Sequence, residues 1–143
     1  MGLAASAFCA SPFEQAMLDI AVEERAWTRW RNQRAVLTRI FLVNITEVLS
    51  PLTLAGSNPL RLSLDIQLPS GVNAWIGNDQ NIQAVQTTPV TNPGFSRPAG
   101  TWTELDRDEA WMPWYIVSDA VGIVSCIESI GAFPYPTPGG GTP

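Results

Sequence analysis

From Leu60 to Leu68 the chain reads Leu-Arg-Leu-Ser-Leu-Asp-Ile-Gln-Leu, with every second residue aliphatic and the residues between them polar. A period of two sustained over nine residues is the mark of an extended strand with one buried face, because in a helix the same residues would spread around the axis. Such a strand needs a sheet around it and a second layer over its apolar side. Pro69-Ser70-Gly71 follows as a turn and Val72 to Ile76 as a second short strand, closed by Gly77-Asn78-Asp79. The two strands are expected to pair as a hairpin.

Further strands are expected on either side. Ile40, Phe41, Leu42, Val43, Ile45 and Val48 are β-formers, so a first strand is placed after about Thr38. Residues 80–101 carry Thr, Asn, Pro and Gly at loop density, with a strand allowed at Ile82 to Val85. Trp102 to Leu105, Trp114 to Ser118 and Val121 to Glu128 supply three more, with turns at Asp106-Arg107-Asp108-Glu109 and Asp119-Ala120 between them. Short strands with turn signals between them point to a small sandwich or barrel.

The first 37 residues are of a different kind. Residues 1–10 are small and apolar and read as a loose arm. Ser11-Pro12-Phe13-Glu14 is a helix start, with Ser as N-cap, Pro in the first turn and Glu three residues after the Ser. Neither Gly nor Pro occurs from Phe13 to Leu49, and acids (Glu14, Asp19, Glu23, Glu24) precede cations (Arg25, Arg29, Arg31, Arg34), which suits the helix dipole. A helix is therefore expected over about 11–37, with Phe13, Met17, Ile20, Ala21, Trp27 and Trp30 as a rough apolar stripe interrupted by Glu24. At the other end, residues 134–143 hold four prolines and three consecutive glycines, an extended tail that builds no core. The expected organisation is an arm with its helix (1–37), a β domain (38–133) and a tail (134–143).

Composition narrows the function classes. The chain has 143 residues, 45% of them apolar, enough for one domain with a real core. Only 15% are charged and the net charge is −5, which argues against a general nucleic-acid binder. There is no His and no Lys; all eight cations are arginines. That removes Ser-His-Asp and Cys-His catalysis, His-ligated zinc, the P-loop lysine and Schiff-base chemistry. Two cysteines, Cys9 and Cys126, do not make a four-ligand metal site and are expected as free thiols, since no export signal is evident. The opening Met1-Gly2-Leu3-Ala4-Ala5-Ser6 matches a myristoylation pattern by letter only. No run of 18 apolar residues is present, so no membrane helix is expected. Catalysis by carboxylates alone, from Glu104 with Asp106 or Asp65 with Asp79, has no fixed separation to recommend it. Asp106, Asp108 and Glu109 lack the distal Glu and the Gly of a calcium loop and read as a solvated acidic turn. No cofactor is expected, and the chain is read as a non-enzyme.

What remains are surfaces for a partner. Arg25, Arg29, Arg31 and Arg34 are interleaved with Trp27 and Trp30, a combination that suits docking on an acidic protein surface. The same residues would also suit nucleic-acid phosphate, a reading disfavoured by the acidic remainder of the chain, and the plainer alternative is a helix whose arginines pair with Asp19, Glu23 or Glu24. Six tryptophans in 143 residues is high. Trp111-Met112-Pro113-Trp114 is loop-like and hard to bury in one small sandwich, which makes Trp111, Met112 and Trp114 the other interface candidates. Trp75 and Trp102 are placed in the core or at a subunit interface, with sugar stacking as the rival reading for these aromatics.

One stretch resembles known proteins. Ser57-Asn58-Pro59-Leu60-Arg61-Leu62-Ser63-Leu64-Asp65-Ile66-Gln67, then Val72 to Asn78, then Asn92-Pro93-Gly94-Phe95-Ser96-Arg97-Pro98-Ala99-Gly100 with Trp102-Thr103-Glu104-Leu105 after it, resembles small virion proteins of tailed bacteriophages. Trp114 to Ser118 and Val121 to Glu128 match that pattern's closing strand pair. The likeness spans roughly residues 52–130 and is a pattern of turns and strands. It implies a small all-β domain, commonly trimeric: a capsid cement or decoration protein or a head fibre, carried on the virion surface and assembled in the host cytoplasm. Its partner would be the major capsid protein or another virion protein, with no nucleic acid and no membrane. It carries no active-site residue. The fold expected is mainly β, a sandwich or jelly-roll-like barrel with a helical arm and an extended tail. A tail, adaptor or fibre-base protein is the alternative within the virion, and a carbohydrate-binding module the alternative outside it.

Overall fold

A strand that alternates as strictly as Leu60–Leu68 must sit over a core, and it does. The computed structural model describes residues 11–84 and 94–136. They form two compact units: residues 11–33 with 133–136, and residues 34–132.

The larger unit is mainly β, with eight strands in two antiparallel sheets packed as a sandwich, and it does not close into a barrel. The strands are β1 (Leu37–Ile45), β2 (Leu52–Ala55), β3 (Arg61–Gln67), β4 (Ala74–Gly77), β5 (Phe95–Arg97), β6 (Trp102–Asp106), β7 (Trp114–Ser118) and β8 (Gly122–Ile130). One sheet has the order β1-β8-β3-β6 and the other β2-β7-β4-β5. The pairings are nested: β1 with β8, β2 with β7, β3 with β6 and β4 with β5, all antiparallel. The core lies between the sheets. Leu64, Ile66, Leu105, Val124 and Cys126 come from one inner face, and Leu54, Ala74, Ile76, Trp114 and Ile116 from the other. Cys126 is a free thiol whose pKa is pushed up to about 12, mainly by burial. Cys9 lies outside the described residues.

Alternation holds from Leu62 to Gln67, where Leu62, Leu64 and Ile66 are buried and Gln67 is exposed, but fails at the start of the run: Leu60 is exposed and Arg61 buried, next to a register irregularity between Arg61 and Ser63. The expected hairpin between β3 and β4 does not form. Pro69-Ser70-Gly71, with Gly71 at φ 83°, carries the chain from one sheet to the other. Leu68 and Val72, on either side of that turn, are both buried and pin the crossing inside the core. β7 and β8, also neighbours in sequence, likewise belong to different sheets. β2 and β5 were not anticipated. β2 is four residues long with an irregular register, and β5 is three exposed residues within a Pro/Gly-rich stretch. Of the allowed strand at 82–85, residues 82–84 form no strand and residue 85 is outside the described set.

The outer faces of the two sheets differ. On β4 and β7, Trp75, Tyr115 and Val117 are covered by Ile82 and Ala84 from the segment after β4. Gly77 permits that approach, since a Cβ there would lie 2.8 Å from the Ile82 side chain. The outer face of the β1-β8-β3-β6 sheet has no such cover among the described residues.

The smaller unit is built on one helix, α1 (Pro12–Asn32). It opens with the capping box read from the sequence: Glu14 N–H donates to Ser11 Oγ at 3.2 Å and Ser11 N–H to the Glu14 carboxylate at 3.3 Å. It ends five residues before position 37, because Gln33 turns to an extended conformation. The Gln33 side chain then brackets the Phe133 backbone, donating to its carbonyl at 2.7 Å and accepting from its N–H at 2.9 Å. Of the expected tail, residues 134–136 are described and Tyr135 packs on the helix; residues 137–143, like the arm at 1–10, lie outside the described set.

Candidate functional site

A buried ionic layer at one end of the β core fixes the loops that were singled out as an interface. Arg61 begins β3 and Glu128 lies in β8; both side chains are almost fully buried. Arg61 Nε donates to Glu128 at 2.9 Å, Nη1 to the Ala110 carbonyl at 3.0 Å, and Nη2 to the Gly56 carbonyl at 2.8 Å. Arg39, opposite Glu128 on β1, pairs with the other carboxylate oxygen and is half exposed. A guanidinium presents five donors in a rigid fork, so this one side chain ties β8 to two separate loops. Around the layer lies a cavity of about 300 Å³, lined by Arg39, Ile40, Phe41, Leu54, Ala55, Gly56, Arg61 and Glu128.

The 107–113 segment is accordingly well anchored. Asn58 N–H donates to the Trp111 carbonyl at 2.9 Å, and Asn78 Nδ2 to that of Pro113 at 3.0 Å. Trp111 and Met112 are half-buried at its surface. Trp114 is not on that surface. It is the first residue of β7, its ring is 3% exposed within the core, and its Nε1 donates to the Glu109 carbonyl at 3.0 Å.

In the helical unit the Arg/Trp cluster divides in the same way. Trp30 is buried, and Trp27, Trp30 and Tyr135 meet edge to face with centroids 4.9–5.9 Å apart. Arg29 stacks over Phe133 and Arg31 over Trp27. These aromatics fasten residues 133–135 to the helix, which the sequence does not reveal because the partners are separated by about 100 positions. Arg25, Arg29, Arg31 and Arg34 are exposed, and no ion pair involves α1 among the described residues, so the arginines do not neutralise the acids of their own helix.

The most conspicuous surface is one that was not anticipated: the outer face of the β1-β8-β3-β6 sheet. Register places Ile40 opposite Ile127, and Asn44 opposite Ile123. Ile40 is 73% and Leu42 65% exposed, and Ile123 is exposed beside them. Farther across, Asp65 of β3 faces Glu104 of β6, Ser63 faces Asp106, and Gln67 faces Trp102, which is 46% exposed. One half of the face carries the aliphatic side chains, set among Thr38, Asn44, Ser125 and Ser129, and the other half carries the carboxylates. The signal for the first half is present in the sequence. Ile40-Phe41-Leu42-Val43 is apolar at successive positions, and a strand apolar on both faces needs cover on both.

Asp65 reports the crowding. Its carboxyl is held above the ordinary value of 3.8, first by burial and then by the charges of Glu104 and Asp106. A carboxyl raised in the folded state opposes folding when ionised, fully above its folded pKa and not at all below its unfolded one. Asp65→Asn should therefore stabilise the protein at pH 7 by a few tenths of a kcal/mol, the scale of a like-charge pair on a sheet surface. Thermal melts as a function of pH should show that gain shrinking to nothing as pH falls below about 3.8. A constant gain at all pH values would mean that charge is not its source.

Among the described residues no group of three or more His, Cys, Asp or Glu is placed to hold a metal ion, and no helix is long and apolar enough to cross a membrane. Comparison with protein-family models, with curated proteins and with solved structures finds no match.

Proposed function

We propose that this chain is a non-enzymatic structural protein of a tailed-phage virion, a cement or decoration protein that binds and stabilises the capsid shell. The observation that carries this reading is the bare outer face of the β1-β8-β3-β6 sheet. It puts Ile40, Leu42 and Ile123 in water, close together, on a strand pair in continuous antiparallel register. Contiguous apolar surface of this kind marks contact with another protein. The strand order adds support. Nested pairs β1:β8, β2:β7, β3:β6 and β4:β5, folded into two four-stranded sheets, are what a long antiparallel ribbon gives when wrapped into a jelly roll. That architecture is frequent among viral capsid domains. The likeness to phage virion proteins rests on a sequence pattern over residues 52–130; its Asn58-Pro59 turn leads into β3, and its Gly94–Gly100 stretch holds β5 in place of a simple turn. Adhesion would come from the β domains acting as a homo-oligomer, a trimer on that likeness, with the helical arm clasping neighbours and several weak contacts adding as avidity.

A second reading has one observation in its favour. Jelly rolls also serve lectins, and Trp102 presents an exposed indole beside Glu104 on the same face. A carbohydrate-binding module would use that ring as a sugar platform.

Co-sedimentation of the purified protein with phage shells lacking it, followed by imaging of the pellet, separates these readings. Regular density across the shell is the expected result. Density at a single vertex would move the protein to the tail, adaptor or fibre-base class. Absence of binding, together with quenching of Trp102 fluorescence by glycans, would replace the shell reading with the sugar one.

A further inference from the structure

We propose that the helix of one copy lies across the outer face of the β1-β8-β3-β6 sheet of a second copy. This extends the oligomeric part of the reading above and does not depend on what the oligomer then binds.

Two exposed surfaces carry the inference, and they complement each other in charge; of the residues that form them, Arg29 also stacks over Phe133 of its own unit. On α1, Leu18, Val22, Arg25 and Arg29 recur at intervals of four, three and four and so share one side of the helix. All four are exposed, and their side is distinct from the one on which Trp30 is buried. The order along that side is two aliphatic residues, then two arginines. Across the sheet the order is the same in kind and opposite in charge: aliphatic on β1 and β8 (Ile40, Leu42, Ile123), acidic on β3 and β6 (Asp65, Glu104, Asp106).

Spacing agrees as well. From the middle of Leu18–Val22 to the middle of Arg25–Arg29 is seven residues, about 10 Å along a helix axis. From the β1/β8 pair to the β3/β6 pair is two strand separations, also about 10 Å. A helix crossing the strands would set its aliphatic turn on the aliphatic strands and its arginines on the carboxylates. Overall charge points the same way. Residues 37–132 hold nine acids against four arginines, the whole of the net −5, whereas residues 25–34, the end of the helix and the two residues after it, carry four arginines and no acid. A second sheet on this face would oppose carboxylates to carboxylates, and a second helix on α1 would leave the acidic sheet unmatched.

Complementation between two variants tests this. The helix variant, Leu18→Asp with Arg25→Glu, spoils the donor and keeps the sheet. The sheet variant, Ile40→Asp with Glu104→Arg, spoils the acceptor and keeps the helix. All four positions are exposed, and circular dichroism melts check that each variant is folded. Sedimentation of the full-length protein over a concentration series is the readout. The wild type is expected to self-associate, more weakly as salt is raised. Each variant alone should dissociate at least about tenfold more readily, since apolar contact is replaced by charge and an attraction by a repulsion. An equimolar mixture should recover association, because the intact helix of one chain meets the intact sheet of the other.

A wild type that stays monomeric throughout the series overturns the proposal. So does a mixture no better associated than its components, which would mean helix-to-helix or sheet-to-sheet contact, and so do variants that associate like the wild type. The shell assay is separate: a monomer that still binds shells would sink this inference and leave the shell reading standing, and a self-associating chain that ignores shells would do the reverse.

Discussion

Arg61→Met should lower the stability of the β unit by about 3–5 kcal/mol, the range for breaking a buried ion pair from one side. The loss has two parts. Glu128, 3% exposed, keeps only its contact to half-exposed Arg39. The carbonyls of Gly56 and Ala110 lose their charged donor, and Ala110 is fully buried, so water does not readily replace it. Arg61→Lys should recover little, because an ammonium does not span the carboxylate and two divergent carbonyls from one position. Urea unfolding followed by tryptophan fluorescence measures all three proteins. Adding Glu128→Leu to Arg61→Met should restore part of the loss, since it removes the stranded carboxylate. If the double variant falls as far as the sum of the singles, the carboxylate is not what makes the single variant costly. The 110–112 loop should loosen in step, visible as faster amide exchange at Ala110 and Met112.

Trp114→Ala should cost a comparable amount, about 3–5 kcal/mol, by leaving a cavity where an indole fills the core between the sheets. Trp114→Phe isolates the polar part. It keeps most of the packing and gives up the 3.0 Å bond to the Glu109 carbonyl, which still accepts from Met112 N–H at 3.2 Å. A loss of about 1 kcal/mol is expected for it. Trp111, three residues earlier and half-buried at the surface, should behave differently on alanine replacement: a smaller stability loss and a larger effect on partner binding. Equal stability losses at Trp111 and Trp114 would argue that both are core residues.

These two tryptophans also mark how far the sequence could be read. Trp111-Met112-Pro113-Trp114 looks like one aromatic loop, yet its last residue starts β7 and points inward. Which side a strand's first residue faces depends on register with β2 and β4, and no local pattern encodes that. The β3 alternation, the Ser11–Glu14 helix start and β7 were legible because each is a local property of a few neighbouring residues. The β3–β4 hairpin failed for the converse reason. A Pro-Ser-Gly turn fits a hairpin and a crossing between sheets alike, and only the buried Leu68 and Val72 beside it decide. The candidate surface was least legible. Its aliphatic half was foreshadowed by the unbroken run Ile40–Val43, but the acidic half exists only once pairing brings Asp65 beside Glu104 across 39 positions.

Nested pairing also governs how the chain can reach this state. β8, last in sequence, is an inner strand of its sheet, flanked by β1 and β3. Its partner at the far end of β1 is separated from it by more than ninety residues, as in Leu37 opposite Ile130. The sheet that bears the proposed contact therefore has a gap in its middle until both extremities of the β unit have met. Contacts so distant are slow to find, and domains dominated by them fold in roughly milliseconds to seconds. Until β8 arrives, β1 and β3 each present an unpaired edge, and β1 is aliphatic on both faces. The same strand that offers a docking surface when folding is finished is a hazard for misassociation before it is, so crowded synthesis should be the condition under which this protein most readily goes astray.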